Sequence, residues 1–330
     1  MKIRVIVIIG GAALLIVAVV AVVVASRNRQ QPAPSPNVPV VASPAEVRVK
    51  AVECKPEPMD HEVVEASSAV AIVCGADATT ADRYEVRNGA LRSIARRRDL
   101  SEKDVAALVA YLRSKDNAMR VERVAALKND VMNLLRNQEP PVEGLAETLI
   151  VMFEGRDNNS STLNSPTHSH PPVVLDYCIQ HLGAMQNEIT DDALRRRIRE
   201  IFVFAARQTR QPYAGTALYS LAEDKRASLS QKNELKRLTI SLCKQGSHPV
   251  ARISAIQLAG DRGYKEILPI LRETLSSSHR DAVLDIVSIG SLGLLGDESD
   301  LELLSQFSFD TRRSVAVKAA IKRIKDRASK

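Results

Sequence analysis

HPVARISAIQLAGDRGYKEILPILRETL, running from His248 to Leu275, decides how this chain reads as a fold. Pro249 suits a first helical turn, where its missing N–H has no partner to lose. Val250, Ile253 and Leu258 then place apolar side chains along an Ala-rich helix that breaks at Gly260-Asp261. After the break, Ile267, Leu268 and Leu271 start a second apolar stripe. The unit is therefore a helix, a short turn and a helix, and neither helix can bury its apolar side alone.

The segment repeats. Setting Gly260-Asp261 on Gly296-Asp297, a step of 36 residues, superposes Val250 on Ile286, Ile253 on Ile289 and Leu258 on Leu294. Counted from each Asp, positions 6, 7 and 10 are Ile267, Leu268 and Leu271 in one unit and Leu303, Leu304 and Phe307 in the next. A shorter third unit places Val315, Ala319, Ala320 and Ile324 at first-helix positions, and its lysines and arginines suit a solvent-facing end cap.

Upstream the periodicity continues without strand-like alternation. Val105, Leu108, Val109 and Leu112 follow the N-cap signal at Ser101. Val124, Leu127, Val131 and Leu134 form another stripe, as do Leu194, Ile198, Ile201, Phe202 and Ala205, and then Leu235, Leu238 and Leu242. Breaks at RRRD, NQEPP, GRDNNSSTLNSP, TRQP, DKRASLS and KQGSHP separate about thirteen helices. Aromatic residues are 3% of the chain and tryptophan is absent, so most of the apolar volume must come from Leu, Ile, Val and Ala, which suits close helix packing.

The quoted segment resembles a HEAT repeat of the short type associated with phycobiliprotein lyases. The likeness covers residues 247–330 best and the degenerate helical pairs of 80–246 loosely, with the long loop at 155–171 interrupting regularity. It implies an all-α fold, an α-α superhelix or solenoid of paired antiparallel helices. It also implies a non-catalytic role, with a protein or peptide partner bound along the concave face, and no cofactor.

Toward the N-terminus the chemistry changes. Val5 to Ala25 is 21 residues without a charged or polar side chain, long enough as a helix to cross about 30 Å of hydrocarbon. With flanks Lys2, Arg4, Arg27 and Arg29, residues 1–30 read as a single transmembrane anchor with the N-terminus inside and the body in the periplasm or outside. A secretory signal cleaved near Ala25 is the alternative. Residues 31–50, with Pro32, Pro34, Pro36, Pro39 and Pro44, form an extended linker. Residues 51–79 fit either a strand or the first helix.

The net charge of +7 does not make a nucleic-acid protein. The four basic residues of 1–30 face no acid, and the remainder holds 42 basic against 39 acidic residues. The arginine runs at 96–98 and at 195–197 with Arg199 read as solvated helix faces. Nucleophile-elbow, phosphate-loop, HExxH and dinucleotide motifs are absent from the sequence.

One stretch carries ligand-type side chains. THSHPPVVLDYCIQH holds His168, His170, Asp176, Cys178 and His181, candidates for a metal-dependent enzyme or a lyase-like cofactor-handling factor. Against that reading, Val174 and Leu182 share the face of Cys178 and His181 and mark it as core. An exported body would permit disulfides, and Cys54 with Cys74 is the candidate pair, while Cys178 and Cys243 read as packing residues.

Overall fold

The structure, a computed structural model, describes residues 66–76, 79, 81–155, 170–278 and 281–329. The anchor and linker segments and Cys54 lie outside them. Every regular element there is helical. In chain order these are α1 (Ala66–Val73), α2 (Tyr84–Ile94), α3 (Glu102–Arg113), α4 (Val121–Arg136), α5 (Leu145–Glu154), α6 (Pro172–Met185) and α7 (Asp192–Arg207). Then follow α8 (Tyr213–Ala222), α9 (Leu229–Leu242), α10 (Pro249–Asp261), α11 (Leu268–Ser276), α12 (Ala282–Leu295), α13 (Leu301–Ser305) and α14 (Ser314–Ala328). None of them is long and apolar enough to cross a membrane. Within the segment 51–79 that read as strand or helix, Ala66–Val73 is α1, and residues 51–65 lie outside the described residues.

Local chemistry explains where helices begin. Ser101 accepts from Asp104 N at the start of α3, and Asp191 and Asp281 each accept from two backbone N–H groups at α7 and α12. At α9, Ser228 and Gln231 form a reciprocal capping box. Pro occupies the first turns of α6, α10 and α11.

The helices pack in two rows. Each odd-numbered helix packs on the even-numbered helix that follows it, from α1 on α2 through α13 on α14, with α7 on α8 and α9 on α10 between. The even helices also stack successively: α2 on α4, α4 on α6, and so on to α12 on α14. One apolar core, mostly Leu, Ile, Val and Ala with Phe153, Phe202 and Tyr213 among them, runs between the rows.

The rows are held together differently. In the even row, small residues meet. A Cβ placed on Gly215 of α8 would lie 2.7 Å from Ser254 Cβ of α10, and one on Gly260 of α10 2.7 Å from Ser291 Oγ of α12. On Gly293 of α12 it would lie 2.6 Å from Ala320 Cα of α14. Gly183 of α6 and Ser220 of α8 meet in the same way. Such contacts bring backbones as close as helices come. The odd row is bridged by long side chains: Arg113 donates to Thr148 at 2.7 Å, Arg197 pairs with Glu154 at 3.0 Å, and Arg199 and Arg207 both reach Glu234.

A buried cationic hub organises the first helices. Arg87, 1% exposed, donates to Val73 O and Ala81 O at 2.9 Å each and pairs with Asp116 at 2.8 Å. Lys128 donates to Leu112 O at 2.7 Å and Ser114 O at 2.6 Å, satisfying carbonyls at the end of α3. Both cations lie over the Tyr111 ring.

The repeat register differs from the 36-residue step expected. Ala255, Ile256, Leu258, Ala259 and Gly260 are buried, and the five positions 33 further on, Ser288, Ile289, Ser291, Leu292 and Gly293, are buried too. The 36-residue alignment matched Leu258, 3% exposed, to Leu294, 40% exposed. It followed the Gly-Asp dipeptides, but Gly260 lies inside α10 against α12 while Gly296 follows the end of α12. Burial follows the tight glycine contacts instead. In the last helix the buried face is Val317, Ala320 and Ile324, and the expected Val315 and Ala319 are exposed.

Candidate protein-binding face

The residues singled out for metal chemistry are not brought together. His168 lies outside the described residues. His170 is buried at the entrance to α6. On α6, Cys178 is 0% exposed, and burial pushes its thiol up to about 12. That makes it a packing group, not a thiolate ligand. His181 faces Asn129 Oδ1 at 3.1 Å and Arg136 at 3.5 Å, and burial with the Arg136 charge holds its pKa down at about 4. Asp176 projects elsewhere, toward Gln180 and Thr216. Among the described residues no group of three or more His, Cys, Asp or Glu side chains could hold a metal ion.

Cys74 offers its Sγ–H to Ala107 O at 3.7 Å. Four of the seven arginines in these runs are paired: Arg98 with Glu139, Arg195 with Asp192, Arg197 with Glu154, and Arg199 with Asp224 and Glu234. An open cleft of about 440 Å³ between α11 and α13 is lined by Arg272, Ser276, Ser299, Asp300, Glu302 and Leu303. Its Arg272 is bound to Asp300 at 2.7 Å, and its lining is as apolar as it is polar.

A more continuous feature is the open side of the even row. Helix α8 is flanked by α6, α7, α9 and α10, and within it only Thr216, Tyr219 and Ala222 are partly exposed. Thr216 and Tyr219, three residues apart, therefore mark where this row meets solvent. Thr216 hydrogen-bonds Asp176 on α6, which also accepts from Gln180 at 3.1 Å. Beside Asp176, Tyr177 senses both its charge and that of Asp130 on α4. On the other flank, Tyr219 senses Asp261 on α10. On α10, Ile253, Gln257 and Asp261 follow at spacings of four. The strip thus runs from α4 to α10 along one side of the row.

Its electrostatics are shaped by partial burial. Burial raises the carboxyls of Asp130, Asp176 and Asp261 above the usual range; Arg92 opposes this at Asp130, and Arg262 at Asp261. At Asp176 the opposition comes from the Thr216 and Gln180 hydrogen bonds. Burial, reinforced by Asp261, pushes the Tyr219 phenol up to about 12.

Of these residues, sequence reasoning singled out Asp176 as a ligand candidate and Ile253 and Asp261 as repeat positions, each for another purpose. Thr216, Tyr219, Gln257 and Asp261 carry a faint signal, polar side chains at helical spacing on otherwise apolar helices. Which helices adjoin is a tertiary fact, so the strip was not readable. Compared with known protein families and with curated proteins, the chain matches none.

Proposed function

We propose that this chain is a HEAT-like α-solenoid, tethered to a membrane through residues 5–25, that works as a non-catalytic scaffold and binds another protein or a peptide along the open side of its even row. The observation that carries this reading is the unequal spacing of the rows. Gly-to-Ser and Gly-to-Ala contacts hold the even helices close. Arg–Glu bridges such as Arg197–Glu154 and Arg207–Glu234 span the odd ones. Stacked hairpins that are narrower at one edge bend toward that edge, which makes the even side the concave one. Extended concave surfaces of this kind bind proteins by shape and polar complementarity.

Site-specific photocrosslinking of the full-length chain in its native membrane tests the reading. A crosslinker at Gln180 or Gln257 should capture a discrete partner, while one at Arg196 on the odd row should not. Equal capture from both rows, or none from the even row, would refute it.

A further inference from the structure

The chemistry of the partner is written in atoms that lack one. Four consecutive even-row helices each carry a buried side-chain oxygen without a hydrogen-bond partner: Asp176 Oδ1 on α6, Tyr219 Oη on α8, Gln257 Oε1 on α10 and Ser288 Oγ on α12; Ser288 is wholly inside the core, and the first three lie on the open strip. Orphaned oxygens of this kind are uncommon, and each costs free energy until it is satisfied. The three side chains are themselves partly exposed on the open strip, so a modest rotation presents each oxygen to a ligand. Two are pure acceptors and the third is a hydroxyl, so the groups they lack are mainly donors.

Charge points the same way. Although the chain carries +7 overall, α6 and α8 contain no Lys or Arg. Arg262, the cation nearest Asp261, donates to Ala222 O at 2.7 Å. No cation among the described residues pairs with Asp176. The centre of the strip is therefore a carboxylate with no counter-charge, bordered by acceptors.

We propose that this strip docks an extended basic segment of a partner protein, with a Lys or Arg side chain entering at Asp176 and further N–H donors reaching Tyr219 and Gln257. The inference rests on the scaffold reading above. Adjacent helices lie roughly 8–10 Å apart and an extended chain advances roughly 3.3 Å per residue, so successive helices are met every second or third residue. An Asp176 contact at position i then puts i+2 or i+3 at Tyr219 and i+5 or i+6 at Gln257.

The test uses fluorescence anisotropy of the full-length chain in detergent with three labelled Gly-Ser peptides. One carries Lys at every third position, one carries Glu there, and one has the same lysines gathered at one end. The spaced basic peptide should bind most tightly and the acidic one least. Asp176→Asn should weaken the basic peptide roughly tenfold or more, the scale of losing one charge-assisted contact. Gln257→Ala should weaken it less, and Glu302→Gln on the odd row should leave it unchanged. A folding defect is distinguishable: burial already disfavours the ionised Asp176 carboxylate, so Asp176→Asn should unfold at the same or a higher temperature while losing affinity. Equal binding of the basic and acidic peptides, or an unchanged affinity in Asp176→Asn, would overturn the proposal. If Gln180 crosslinks survive that outcome, this inference alone falls; if they vanish as well, the scaffold reading falls with it.

Discussion

Adding one methyl group at Gly293 and one at Gly290 should move stability in opposite directions, although both lie on α12. At Gly290 a Cβ would meet nothing within 4 Å, so Gly290→Ala gains helix propensity without a clash, worth about 0.5–1 kcal/mol. At Gly293 the same Cβ would sit 2.6 Å from Ala320 Cα and 2.7 Å from Ala320 Cβ. Restoring an ordinary contact of 3.4 Å requires α14 to retreat by about 0.8 Å. A backbone atom cannot turn aside as a rotamer can. The retreat also strains the bonds by which Arg327 of α14 holds Gly293 O at 2.8 Å and Gly296 O at 2.6 Å. Overpacking of this kind costs about 1–3 kcal/mol. Because the propensity gain is common to both variants, the difference between them isolates that cost. For a domain of this size it corresponds to roughly 2–12 °C in melting temperature. Thermal melts of the two variants, followed by circular dichroism, measure it directly. If Gly293→Ala melts no lower than Gly290→Ala, the close stacking of the even row is wrong, and with it the argument for which side is concave.

Three further outcomes follow from the same geometry. His181 has its pKa held at about 4 in the fold against about 6.5 unfolded, so the unfolded chain binds more protons between those values. The stability that neutral His181 contributes is therefore lost as pH falls from 6.5 toward 4, and His181→Gln should flatten the stability–pH curve in that window; an unchanged slope would contradict the burial. Replacing Arg87 with Met strips donors from Val73 O and Ala81 O and leaves the nearly buried Asp116 without its guanidinium. The loss should be about 3–5 kcal/mol, read as earlier hydrogen exchange of α1 and α2 than of α10 and α12; uniform exchange would refute a local hub. Ser228→Ala removes the α9 capping box and should cost about 1 kcal/mol by urea denaturation, with no change in peptide affinity.

Much of the fold was legible because its signals are local. The stripe Val124, Leu127, Val131 and Leu134 is buried as its spacing predicts, as are Ile198, Ile201, Phe202 and Ala205, while Leu194 at the start of that stripe is half-buried, and Ser101 caps its helix as its sequence predicts. The repeat register was misread for the opposite reason. Gly260 and Gly296 are the same residue type in similar dipeptides, yet one is pressed between helices and the other ends a helix. Only the neighbouring backbone tells them apart.

The His168, His170, Asp176, Cys178 and His181 stretch shows the same limit. Linear proximity suggested a ligand set, but helical geometry sends Cys178 and His181 into the core and Asp176 to the open strip.

By itself, then, the sequence determined the helices beyond residue 80 and the mainly aliphatic makeup of the core, and left α1 open between strand and helix. Helical periodicity, caps and breaks act over three or four residues, and a chain with few aromatics has mostly aliphatic side chains to bury. Tertiary structure alone decided which small residues meet across the even row and which polar groups form a continuous strip. It also decided which oxygens are left without donors. Those properties belong to pairs of residues some 30 to 50 positions apart, such as Gly260 with Ser291, Asp130 with Tyr177, and Tyr219 with Asp261. Stacking distance and solvent exclusion exist only once the helices are side by side.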